Sequence, residues 1–185
     1  MAEPRPATPV KLLVAILWAE RGALDESLRL LTGLYGPPDF IGPDRAFDVT
    51  RYYEREMGSG LSRRLVSFQR PVSPEVLVQA KHDCNGIEER LAGAAGRRVN
   101  LDVGYLDHNK VVLGSNKGAG QKIYLDRGVY ADLVGRYREG RYQPFEWTFP
   151  DFRDGRYDPD LAAIRKTYLE QLRALNSIEP LPEKS

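Results

Sequence analysis

Lys11 to Ala19 reads KLLVAILWA, apolar at odd and even positions alike. A half-buried strand would alternate, so this run predicts a strand covered on both faces, in the middle of a sheet. A short buried helix is the other reading, but the length and the turn at Arg21-Gly22 favour the strand. The run is not read as a signal or membrane segment. It follows a proline-rich leader, lacks a small-residue cleavage pattern and meets Glu20-Arg21 directly. Its length is also about half of what a bilayer requires.

Working outward, Met1 to Pro9 is too poor in apolar residues to pack and is expected to be a flexible tail. Ala23 to Tyr35 carries Leu24, Leu28, Leu31 and Tyr35 at helical spacing, stopped by Gly36 and Pro37-Pro38. Phe47 to Met57 and Leu61 to Gln69 read as strands joined by a hairpin at Gly58-Ser59-Gly60. Ser73-Pro74 then opens a helix whose stripe is Leu77, Ala80, Cys84, Ile87 and Leu91. Val99, Leu101, Val103 and Tyr105 alternate along the next strand.

The order β-α-β-β-α-β is that of a ferredoxin-like sandwich, in which the first strand is internal. Further strands are expected at Lys110 to Ser115, Gln121 to Asp126, Val129 to Tyr137 and Tyr142 to Trp147. A last helix begins at Asp158-Pro159 with Leu161, Ile164, Tyr168 and Leu172 facing inward. A bare ferredoxin-like sheet leaves one face open, yet the first strand has no face to spare for water. The second half is therefore expected to cover it. The reading is α+β: one domain over 10–176, its ferredoxin-like half extended by antiparallel strands and a C-terminal helix, with flexible tails at 1–9 and 177–185.

The 185 residues are 42% hydrophobic and 29% charged, a soluble globular composition rather than a disordered one. Twenty-seven basic side chains stand against 26 acidic, which argues against duplex phosphate as the main ligand but leaves room for a local patch. Cys84 is the single cysteine, so there is no internal disulfide and the expected compartment is the reducing cytoplasm. With His82 and His108 as the two histidines, the usual Cys/His zinc sites cannot be assembled.

Unusual chemistry concentrates around Arg97 to Tyr130. On the helix before it, Lys81, Asn85 and Glu88 fall at i, i+4 and i+7 along one shoulder of the apolar stripe. Asn100 and Asp102 project from the strand face opposite Val99, Leu101 and Val103. If the shoulder overhangs that strand, Asp102 and Glu88 could take Mg²⁺ or Mn²⁺, and Lys81 a phosphate or carboxylate. The plain alternative is a solvated strand face beside a solvated helix edge.

Tyr52, Glu54 and Glu56 share one face of the expected second strand, as a chelating or acid–base pair, or simply as charges that protect a sheet edge. The loop Gly114 to Lys122 offers three glycines with Lys117 and Lys122. It lacks the P-loop spacing, so it is an anion-binding nest or a plain glycine-rich hairpin. Arg136 to Tyr142 interleaves basic and aromatic residues as RNA-stacking surfaces do. Gln121 to Tyr157 as a whole nevertheless holds seven basic side chains against six acidic. His82 and His108 lack the companions of a nucleophile triad, although His108 beside Asp107 could move a proton at the cluster's edge.

Several motifs follow one another in order: Pro9-Val10-Lys11, Tyr52-Tyr53-x-x-Glu56-Met57-Gly58, Lys81-x-x-x-Asn85-x-Ile87-Glu88, Asn100-Leu101-Asp102-x-Gly104-Tyr105-Leu106, Lys122-Ile123-Tyr124-Leu125 and Trp147-Thr148-Phe149-Pro150-Asp151. In this the chain resembles an uncharacterised bacterial family known as a domain of unknown function, from Pro9 to about Tyr168. The resemblance implies no reaction. It implies that Glu56, Lys81, Asn85, Glu88, Asn100 and Asp102 belong to recurring motifs. Members often carry proline before Gly-Tyr-Leu and His-Arg before Ile-Tyr-Leu, where this chain has Val103, Gln121 and Lys122. Gln121 supplies no imidazole at that position.

The functional expectation is a binding module for an anionic ligand, a nucleotide or other phosphate compound. Lys81, Lys117 and Lys122 would recognise charge, and Asn85 and Asn100 polar groups. The alternative is a metal-dependent enzyme on a phosphate ester, with Mg²⁺ or Mn²⁺ held by Asp102, Glu88 and Glu56. An RNA- or protein-interaction module through the tyrosine–arginine hairpin remains the third class.

Overall fold

In a computed structural model, residues 3–94 and 96–178 are described. Strand β1 (Lys11–Trp18) is followed by α1 (Arg21–Tyr35), β2 (Pro38–Ile41), β3 (Arg45–Ala46), α2 (Glu54–Met57) and β4 (Ser62–Phe68). Then come α3 (Val76–Leu91), β5 (Val99–Leu106), β6 (Lys110–Ser115), β7 (Ile123–Asp126) and β8 (Val129–Arg138). Strand β9 (Arg141–Pro144), α4 (Pro150–Arg153) and α5 (Asp158–Ile178) complete the order. One open sheet runs β2-β4-β1-β5-β6-β8-β7, with β3 beside β4 and β9 beside β8, and each pair antiparallel. The class is α+β.

β1 lies in the interior between β4 and β5, as its continuous apolar run requires. Leu12, Val14 and Ile16 enter a core with Leu24 and Leu31 of α1 and Ala80, Cys84 and Ile87 of α3. Leu13 and Ala15 enter the opposite core with Leu161, Ile164, Tyr168 and Leu172 of α5. The second half of the chain thus covers the face that the first half leaves open. A third cluster gathers Leu17, Phe47, Tyr53, Met57 and Leu61 at the end of β1.

The second strand is not where the alternation of Phe47 to Met57 put it. That segment holds a loop, a turn at Tyr52 and Tyr53, and the helix α2. Tyr53 and Met57 are four apart, so one helical turn serves to bury both, and Glu, Arg and Met are good helix formers. The second strand is instead Pro38–Ile41, where a proline at the first position of an edge strand is tolerated. Gly58 ends α2 with φ +82 rather than turning a hairpin, so no strand face carries Tyr52, Glu54 and Glu56 together.

Other boundaries shift less. α3 begins at Val76 without a side-chain cap, two residues after the expected Pro74. α5 runs to Ile178, past the expected end at Asn176. Residues 3–9 are exposed and outside any helix or strand, while residues 1–2 and 179–185 of the expected tails lie outside the described residues. Among the described residues no helix is long and apolar enough to cross a membrane.

Candidate functional site

β5 pairs with β1 along its whole length but with β6 only over Gly104–Leu106. Beyond that point the two strands part, and β6 continues against β8 alone at Gly114 and Ser115. Gly104 is the pivot. A Cβ there would press into the carbonyl oxygen of Val112, far inside van der Waals contact. Gly114 lets α3 close over the gap, since a Cβ at that position would stand 3.2 Å from Leu77 Cδ1 and 3.4 Å from Lys81 Cβ.

Parting two strands leaves backbone groups that need partners. Two charged side chains of α3 provide them. The Leu101 amide donates to Glu88 Oε1 at 2.6 Å, and Lys81 Nζ donates to the Leu101 carbonyl at 3.4 Å. This accounts for the burial of both Lys81 and Glu88, a rare condition for charged residues. Burial pushes the Glu88 carboxyl above its usual range, against the pull of the Leu101 N–H and Lys81.

The gap is a cleft of about 240 Å³. Lys81, Asn85 and Glu88 line it from α3, Asn100 and Asp102 from β5, and Lys117 and Lys122 from the loop after β6. Of the eight residues expected to bind ligand or metal, Glu56 alone stays outside. It belongs to α2 and accepts from Arg97 Nε at 2.7 Å, and Arg97 itself lines the cleft. Arg97, Asp132 and Phe149 also line it; none is a candidate by spacing, although Phe149 lies in the Trp147–Asp151 motif.

The bonds within the cleft are unevenly satisfied. Asn85 donates to Asn116 Oδ1 at 2.9 Å. Asn100 Oδ1 accepts from Arg97 at 2.9 Å, but its Nδ2 has no partner although the residue is only 5% exposed. Lys122 donates to Ser115 Oγ at 3.0 Å and stands 3.5 Å from Asp132. Lys117 has no carboxylate at ion-pair distance among the described residues; its ammonium lies 5.5 Å from the centroid of the Tyr52 ring.

Asp102 accepts from Arg63 at 2.9 Å. Arg63 is buried on β4, donates also to Asp151 at 2.6 Å, and lies 4.7 Å over the Phe47 ring. Burial, with the charge of Asp102 second, pushes the phenol of Tyr53 up to about 12. Among the described residues no three His, Cys, Asp or Glu side chains form a metal-binding group. Asp102, Glu88 and Glu56 each hold a separate cation or N–H instead.

The remaining candidates have structural employment. Ser115 Oγ accepts from the Lys117 amide at 3.1 Å, and Gly118 lies flat against the Tyr130 ring, which leaves no room for a side chain. In the tyrosine–arginine hairpin, Tyr142 is buried and donates to the Asp107 carbonyl at 2.5 Å. Tyr137 is covered by the Arg165 guanidinium 3.6 Å from its centroid. His108 packs edge-on to Tyr168 and does not line the cleft, and Asp107 caps the β5–β6 turn through the amides of Asn109 and Lys110. Burial raises the thiol of Cys84 far above its usual range, as suits a packing residue.

A family model described as "Domain of unknown function (DUF4416)" matches residues 8–168. No curated protein and no solved structure matches the chain.

Proposed function

The chain belongs to the DUF4416 family, and from that premise we propose that it is a binding module for a small anionic ligand, a nucleotide or other phosphate compound, held in the cleft between β5 and β6. Asn100 carries the reading. It lines the cleft, is nearly fully buried, and leaves its side-chain NH₂ without an acceptor. An unmet buried donor costs about 1–3 kcal/mol, and a bound anion removes that cost. Lys117 adds a charge with no carboxylate at ion-pair distance among the described residues, and an ammonium suits phosphate as a point charge. The acids nearby are compensated: Asp102 by Arg63, and Glu88 by the Leu101 N–H and Lys81.

The finer fold reading has support of the same kind. The order β2-β4-β1-β5 with antiparallel neighbours, and α1 and α3 on one face, favours a ferredoxin-like half. One sheet joining β1 to β9 favours a single unit over 10–176. The lone buried Cys84 favours the cytoplasm. The metal-dependent reading draws less support, because Asp102, Glu88 and Glu56 already hold separate partners. The RNA reading draws less because Tyr137 and Tyr142 are spent on packing the hairpin.

Isothermal titration with inorganic phosphate and pyrophosphate tests the proposal, with EDTA and then with Mg²⁺. Binding is expected without metal, and Lys117→Ala should weaken it about tenfold, which is about 1.4 kcal/mol. No binding of either anion at millimolar concentration would overturn it. Binding that requires Mg²⁺ and vanishes in Asp102→Asn would favour the enzyme.

A further inference from the structure

Resting on the anion-binding reading of the cleft, we infer that its ligand is a mononucleotide-sized phosphate compound carrying a planar base, and that Tyr52 and Phe149 hold the ring. Both side chains line the cleft, at 63% and 46% exposure respectively. Single exposed apolar residues are ordinary on any surface. Two aromatic rings at one cleft that also holds Lys81, Lys117 and Lys122 are a more pointed arrangement.

They come from separate parts of the chain, and the Tyr52 ring is fixed from behind. Tyr52 meets Tyr53 edge-on, with centroids 5.0 Å apart, and Tyr53 is anchored on Phe47 in the cluster at the end of β1. Phe149 directly precedes α4, where Asp151 is fully buried between Arg63 and the Tyr157 hydroxyl. A ring held as Tyr52 is held loses little conformational freedom when a ligand stacks on it.

Arg63 joins the two halves of the site. One nitrogen holds Asp102 in the cleft and the other holds Asp151, two residues from Phe149. The Lys117 ammonium, 5.5 Å from the Tyr52 centroid, brings positive charge and ring face together. That is the pattern of a phosphate joined to a stacking base. The cleft, of about 240 Å³, opens toward the exposed rings, so a phosphate held within it leaves its base against them.

The test compares ribose 5-phosphate with the four nucleoside 5′-monophosphates by isothermal titration. The base should tighten binding by about fivefold to 150-fold, the range of aromatic stacking. Tyr52→Ala should remove much of that advantage and leave ribose 5-phosphate within about twofold of the parent, while Tyr52→Phe should keep it. Tyr52 is mostly exposed, so its truncation leaves the fold intact, and Phe149→Ala supplies the second arm with a thermal melt as its control. If the nucleotides bind no better than ribose 5-phosphate, or the advantage survives both alanine variants, this inference falls and the anion reading stands. If neither ribose 5-phosphate nor any nucleotide binds, this inference falls, and the anion reading falls with it only where phosphate and pyrophosphate also fail to bind.

Discussion

Lys11 and Lys81 are both buried lysines, and their surroundings differ in one respect that matters. Lys11 donates to Asp39 and, at 2.8 Å, to Gln171. Asp39 accepts in addition from Ser67 at 2.7 Å and Gln171 at 2.8 Å. The result is a closed network that ties β1, β2, β4 and α5 together. Lys81 holds one long bond of 3.4 Å, near an Asn100 amide with an unmet donor. A buried charge is therefore not in itself the mark of a site. Unused hydrogen-bonding capacity beside it is the better mark.

The largest expected effect separates the two lysines. Asp39→Ala would leave the Lys11 ammonium buried and uncompensated, at a cost of about 3–5 kcal/mol in urea unfolding. Lys81→Met keeps the aliphatic stem but loses the long bond and part of the charge that offsets Glu88, so its cost should stay below about 3 kcal/mol. Equal losses would mean that the cleft is structural in the same sense as the closed network.

The two carboxylates should also respond to acid with opposite sign. Burial alone would raise Asp39, but hydrogen bonds from Lys11, Ser67 and Gln171 outweigh it and hold the group below its ordinary 3.8. Its stabilisation is complete above that value and is lost as pH falls through the depressed one. Glu88 is raised above its ordinary 4.5 by burial, so the folded protein takes up that proton first. Stability is gained as pH falls from the raised value toward 4.5. Urea midpoints between about pH 3 and about pH 7 should lose the acid decline in Asp39→Asn and lose the gain in Glu88→Gln. Identical pH slopes in both variants would erase the distinction.

How much of this was legible depended on how local the cause was. The two-sided run of β1 dictates an interior strand, and the stripe on α3 with the alternation of β5 assigns Lys81, Glu88, Asn100 and Asp102 to two elements whose side chains line one cleft. Phe47 to Met57 misled because its apolar residues suit either period over so short a window, and only the burial of Tyr53 and Met57 decided for a helix. Gly104 in an alternating strand signals a close approach, but not that Val112 is the neighbour or that the strands part beyond it. The Arg63–Asp151 pair joins β4 to α4, and no periodicity connects residues so far apart. The tyrosines of the hairpin resembled a binding surface until α5 required a packing partner.

The smallest predicted effect on stability is the one that most sharply divides a site from a scaffold. Asn100→Ala removes the bond from Arg97 to Oδ1, worth about 0.5–1.5 kcal/mol, but it also removes the NH₂ that no acceptor satisfies. The two changes oppose each other, so urea unfolding should move by less than about 1 kcal/mol. Pyrophosphate affinity should fall at least about fivefold, because the donor that awaits the anion is gone. Gln171→Ala in the closed network offers the contrast, since both its bonds are satisfied and its loss should cost about 1–3 kcal/mol with no change in anion affinity. A polar residue whose removal costs stability little and binding much is kept for its ligand. If Asn100→Ala instead destabilises like Gln171→Ala and leaves pyrophosphate binding intact, Asn100 is part of the framework and the cleft is only the seam between β5 and β6.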